Sequence, residues 1–182
     1  MAEVTTLQFQ RENKPKIEDV IPYVVADDKQ QIALDFVAWL RENKMSPGWS
    51  GVHNAWDAKC KSKTICKVSL RNSGWDANKR LHGFTWNIKL YCPHIYNNGY
   101  GAEIIINEGL QSIIWHGLYK CTHDCLGGTK PCIGGNNYTF YGREFTSTCP
   151  HSLYPAFLDP DEDMLNGVRE LLKIEKQARM GK

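Results

Sequence analysis

The alternation over residues 84–92 constrains this chain most. Phe84, Trp86, Ile88, Leu90 and Cys92 occupy every second position, and Thr85, Asn87, Lys89 and Tyr91 fill the places between. Successive side chains of a strand point to opposite faces, so this segment predicts a strand that is apolar on one side and polar on the other. Such a strand belongs in an antiparallel sheet with one covered face.

Two amphipathic segments supply the cover. Asp27 and Asp28 are candidate N-caps for a helix over 28–44, whose stripe is Ile32, Phe36, Trp39 and Leu40, and Met45-Ser46-Pro47-Gly48 ends it. A second helix is predicted over 160–180. Asp159 stands as its N-cap and Pro160 at its first position, with Asp161, Glu162 and Asp163 in the first turn, where the helix dipole favours negative charge. Met164, Leu165, Val168, Leu171 and Leu172 form its buried stripe.

Two more strands are expected over Trp49–Lys59 and Thr64–Leu70, joined by a polar turn at Lys61-Ser62-Lys63. Asn107 is placed to cap a short helix running through Trp115. A hairpin of Tyr138–Tyr141 and Glu144–Thr148 turns at Gly142. Residues 1–16 read as a polar tail, and 17–25 as an extended or short helical lead-in, because Pro22 interrupts the apolar run. The expected fold is a single α+β domain over 17–182. Two main helices pack on an antiparallel sheet of four to six strands, and a Cys-rich loop at 120–150 with its hairpin forms a flap.

That loop needs something other than apolar packing to fix it. It runs Cys121-Thr122-His123-Asp124-Cys125, then Cys132, then Cys149-Pro150-His151, through a stretch rich in Gly, Asn and Thr. Zinc takes four thiolate or imidazole ligands in a tetrahedron. Cys121, Cys125, Cys132 and Cys149 form the first candidate set, and His123 or His151 can replace one of them. Four protein ligands leave no open position, so such a site is structural. The alternatives are ordinary reduced cysteines buried as small apolar residues, an iron–sulfur cluster, or disulfides. Seven cysteines cannot all pair within one chain.

Other chemistry is sparse. A nucleophilic thiol needs a nearby imidazole or helix N-terminus to lower its pKa, and Cys92 with His94 or Cys149 with His151 qualify by nearness in sequence. The tetrapeptides Tyr91-Cys92-Pro93-His94 and Thr148-Cys149-Pro150-His151 echo one another. No HExxH, GxSxG, phosphate-loop or dinucleotide pattern occurs. Trp75, in a polar loop with Arg80 and His82, is the candidate contact for a flat ligand, or a loop anchor lying down on the sheet. Trp86 and Trp115 read as core. A net charge of +2 argues against a large nucleic-acid footprint.

The segments Asn43-Lys-Met-Ser-Pro47 with Trp49, Ala55-Trp56, Lys63-Thr-Ile-Cys66 and Ile114-Trp115 form a pattern with the cysteine loop, Tyr141-Gly-Arg-Glu-Phe145 and Cys149. Over about residues 30–180 this pattern resembles a set of short cysteine-rich bacterial proteins of anaerobes whose function is uncharacterised. The order of elements is also similar to that of YjbR-like and TfoX-like small α+β domains. The resemblance implies a helix, a Trp-bearing hairpin, a cysteine loop and a final helix, and it implies no catalytic residues.

The function expected from these residues is that of an intracellular binding module with a structural zinc-type site, its partner a small aromatic ligand or another protein. The alternative is a thiol-dependent detoxification or redox enzyme built on a Cys–His pair. Nucleic-acid binding through the Trp75–Arg80 loop is the third. The N-terminal residues carry no apolar leader and no segment is long and apolar enough to span a membrane, so a cytoplasmic setting is expected.

Overall fold

A computed structural model describes residues 2–71, 84–96, 101–118, 134–148 and 155–181. In chain order its helices are α1 (Leu7–Asn13), α2 (Ile21–Val24), α3 (Asp27–Glu42), α4 (Pro93–Tyr96), α5 (Ala102–Asn107), α6 (Gln111–His116) and α7 (Glu162–Met180). Its strands are β1 (Pro47–Trp49), β2 (Ala55–Cys60), β3 (Lys63–Leu70), β4 (Trp86–Leu90), β5 (Asn136–Phe140), β6 (Arg143–Thr148) and β7 (Ala156–Leu158). Short 3-10 turns precede α1 and α2 at Glu3–Thr5 and Ile17–Asp19. This is an α+β fold. A five-stranded antiparallel sheet runs in the order β1-β2-β3-β4-β7, and β5 and β6 form a separate two-stranded sheet.

The main sheet depends on one apolar row. Trp56, Val68, Ile88 and Phe157 stand opposite one another across four strands, with Leu70 opposite Trp86 and Cys66 opposite Leu90. All are buried, and each large side chain so removed from water contributes about 1.5–3 kcal/mol. Phe36 of α3 meets Trp86 with ring centroids 6.2 Å apart. Leu165, Val168, Leu171 and Leu172 of α7 join the same buried cluster. The two predicted helices therefore cover the apolar face. The β2–β3 turn, at Lys61 and Ser62, has φ of 47° and 64° at the two residues, the left-handed pair that matches the twist of a two-residue hairpin.

Several details depart from the sequence reading. Residues 1–16, expected as a polar tail, carry α1. Thr6 caps it by accepting from the Phe9 amide. The helix is docked by a polar tether, since fully buried Gln10 donates to Asn54 Oδ1 at 2.6 Å and accepts from the Asn54 amide at 2.8 Å. A hydrophobic-stripe test misses such an anchor. The expected strand Trp49–Lys59 is two strands, β1 and β2, joined by a loop over 50–54. Asn107 ends α5 instead of capping a helix, and Gly109 with φ of 68° separates α5 from α6. Strand β7 is three residues long, too short for alternation to reveal it.

Asp159 also has a different task. The α7 N-cap is Asp161, which accepts from the Met164 amide at 2.8 Å. Asp159 adopts φ of 41°, and its Oδ1 accepts from the amides of Thr85 and Trp86 and from the Thr85 hydroxyl. Its other oxygen lies 3.0 Å from Lys29 Nζ at the start of α3. One carboxylate thus joins the entry to β4, the exit from β7 and the first turn of α3. Burial raises its pKa, but the hydrogen bonds from Thr85, Trp86 and Lys29 outweigh that and hold the carboxyl below the ordinary aspartate range.

Two stability outcomes follow from this packing. Asp159→Asn is expected to cost about 2 kcal/mol in urea unfolding at pH 7, since it weakens charge-assisted bonds to four donors. A lowered folded pKa gives stability that is full above the unfolded value of 3.8 and lost as pH falls through the folded one. The gap between wild type and variant should therefore close below about pH 4. Gly167, buried within α7, faces Ile113 so closely that a Cβ would lie 2.5 Å from its Cγ1. Gly167→Ala should lower the Tm despite alanine's better helix propensity, with overpacking of about 1–3 kcal/mol exceeding a propensity gain of about 1 kcal/mol.

Candidate functional site

Cys121, Cys125, Cys132, Cys149, His123, His151, Trp75, Arg80 and His82, the residues singled out by sequence, lie outside the described residues. Among the described residues no group of three or more His, Cys, Asp or Glu is placed to hold a metal ion. Three features of the described residues do carry chemistry.

The first is a pocket between α6 and the β5–β6 hairpin. The hairpin turns at Tyr141-Gly142, where φ is 48° and 77°, a left-handed pair that brings the two strands together in two residues. Its rings pack together, Tyr138 stacked on Phe140 at 5.8 Å and Phe145 edge-on to Phe140 at 6.2 Å between centroids. Two polar ties fix the hairpin to the rest of the protein. Trp115 Nε1 donates to Phe140 O at 3.0 Å, and the Tyr141 hydroxyl donates to Ile95 O. Burial pushes the Tyr141 phenol up to about 12, so it keeps the proton it donates.

The resulting cavity has a volume of about 310 Å³ and is lined by Trp115, Leu118, Arg143, Glu144, Phe145, Thr146 and Thr148. That volume is at the lower end of small-ligand pockets. The Arg143 guanidinium sits 5.3 Å from the Trp115 ring centroid and 5.2 Å from that of Phe145. A cation held against two rings gains from their quadrupoles and loses rotational freedom. Sequence reading placed Trp115 in the core and gave Arg143 no role. The signal was present, because Arg143 and Phe145 are two apart on a strand and so share a face.

The second feature surrounds Cys92. His94 Nδ1 lies 2.8 Å from Oε1 of Glu175, and the His94 amide donates to its other oxygen at 3.2 Å. Glu175 is fully buried, and Arg179 Nε donates to it at 2.8 Å. Arg179 also donates to the carbonyls of Lys63, Thr64 and Tyr91, which binds the end of α7 to the sheet. The Cys92 thiol is buried and directed at Ile65 O at 3.6 Å. Desolvation, then the negative charge of Glu175, pushes that thiol well above its usual range. His94 is therefore committed to Glu175, and Cys92 has none of the properties of an activated nucleophile. Cys66 is likewise buried and raised by desolvation.

The third feature is the polar face of the main sheet. Asp57, Lys67 and Lys89 stand in one cross-strand row, and Ser69 and Asn87 in the next. Sequence alternation implied an uncovered side here, yet Lys67, Ser69, Thr85 and Asn87 are buried, Lys67 being 7% exposed. Lys67 Nζ lies 3.3 Å from Asp57 Oδ1, close enough to pair by charge, though that oxygen is not aligned for a hydrogen bond. The Asn87 side-chain nitrogen has no hydrogen-bond partner among the described residues.

No family model, curated protein or solved structure matches this chain with significance.

The Cys92 environment gives two checks. In native protein, iodoacetamide mass mapping should find Cys66 and Cys92 unmodified while denatured protein is alkylated at both, because only the thiolate reacts. Glu175→Ala should destabilise the protein by about 3–5 kcal/mol, since it leaves the buried guanidinium of Arg179 without its carboxylate.

Proposed function

We propose that the protein is a binding module that takes a small flat ligand in the pocket between α6 and β6. The flap beside that pocket is held by a structural zinc on Cys121, Cys125, Cys132 and Cys149. The observation that carries the reading is the Trp115–Arg143–Phe145 arrangement on a cavity of about 310 Å³. Ligand pockets combine apolar walls with a few fixed polar groups, and this one has both.

The metal part of the reading draws support from chain geometry. Asn136 pairs with Thr148, and the Gly135 backbone lies so near Ser147 that a Cβ would collide with its carbonyl. Cys132 is three residues before Gly135 and Cys149 directly follows Thr148 in the chain, so the segments that carry two of the four thiols join the hairpin at its paired ends. Leu118, three residues before Cys121, lines the same pocket as Thr148. A closed thiolate site fits a reducing compartment and supplies stability where apolar side chains are scarce. Among the described residues no helix is long and apolar enough to cross a membrane.

A second reading has its own observation. His94, half exposed and oriented through Nδ1 by a buried carboxylate, has the arrangement of an acid–base histidine. In that reading the thiol partner is Cys149.

The test is a fragment screen read by the tryptophan indole N–H resonances, with Trp115 assigned through Trp115→Phe. Flat aromatic fragments are expected to move the Trp115 resonance and leave those of Trp56 and Trp86 in place. If no fragment moves Trp115, or if turnover of a substrate is lost in His94→Gln with the fold intact, the binding-module reading falls.

A further inference from the structure

We infer that the ligand of the α6–β6 pocket carries a planar carboxylate on an aromatic ring, an inference that rests on the pocket reading above and narrows it to a chemical class. Arg143 is the reason. Its guanidinium is approached by Trp115 at 5.3 Å and by Phe145 at 5.2 Å. Contacts through the rings leave the N–H edge of a guanidinium for an in-plane acceptor. Trp115 is itself fixed, because its indole N–H is committed to Phe140 O at 3.0 Å.

Among the described residues lining the cavity, Arg143 is the one cation and Glu144 the one carboxylate. They form no ion pair with one another or with any other described residue. Among the described residues the guanidinium thus has two ring contacts and no countercharge. A fork of parallel N–H donors matches the two oxygens of a carboxylate, and a pre-oriented fork loses less entropy on binding than a free lysine would. The neighbouring Leu118 and Phe145 suit the ring that bears the carboxylate. Glu144 opposes an anion, but it and Arg143 are both exposed and water screens the two charges alike, so the fit of the guanidinium fork to two coplanar oxygens is what favours a carboxylate.

The experiment compares two probes that differ only in the acid, indole and indole-3-carboxylate, by calorimetric titration of the full chain with its metal content intact. The carboxylate is expected to bind at least about tenfold tighter, the effect of one charge-assisted pair. Arg143→Met should abolish that preference with an unchanged Tm, and Arg143→Lys should restore only part of it. Equal binding of both probes, unmoved by Arg143→Met, would overturn the carboxylate inference while leaving the pocket reading in place. Binding of neither probe at millimolar concentration would overturn both.

Discussion

The structure depends on a single row of side chains. Trp56, Val68, Ile88 and Phe157 stand in register across β2, β3, β4 and β7, and α3 and α7 exist as stable elements because they bury that row. Helices of this length have little stability alone in water, and their apolar stripes supply it only against a partner surface. The row also explains why short pieces can join the sheet. Strand β7 has three residues and few ladder bonds, but Phe157 extends the buried row and Asp159 closes its end on Thr85 and Trp86.

Polar ties then set where the remaining pieces sit. Gln10 with Asn54 docks α1, Glu18 with Arg41 docks the 3-10 turn Ile17–Asp19 on α3, and Arg179, held by Glu175, fastens α7 to the ends of β3 and β4. The β5–β6 hairpin hangs on two more, from Trp115 and Tyr141. Each places a donor against an amide carbonyl or a carboxylate, where a lost partner costs more than a lost apolar contact. The pocket lies where the hairpin meets α6, and its shape follows from those two bonds and the Phe140 ring in the core. Groups fixed in this way bind with less ordering cost than mobile ones.

The parts of the fold that follow a period were legible. The alternation of Phe84–Cys92, the stripe of α3 and the stripe of α7 gave their elements to within a few residues, as did the turn at Gly142. What escaped was held by polar contacts that no period announces. Helix α1 rests on Gln10, and Asp159 looked like an N-cap because aspartate before proline fits that role as well. The site was less legible than the fold. Sequence offered Cys92 with His94 by nearness and also read Cys92 as continuing the inward face of its strand; the thiol is buried there, while His94 turns to Glu175, 81 residues away. Arg143 and Trp115 are 28 residues apart in sequence, and only the hairpin's return beside α6 brings ring and cation together.

The proposed arrangement is an α+β frame carrying a pocket whose flap a structural zinc would close. Elemental analysis of the purified protein, repeated after chelation with the Trp115 indole resonance followed throughout, tests it most directly. The account expects one zinc per chain, with Cys121, Cys125, Cys132 and Cys149 protected from alkylation. Its removal should shift Trp115 and leave Trp56 and Trp86 unmoved. Protein without metal, whose four loop thiols all alkylate freely while Trp115 keeps its resonance, would contradict it.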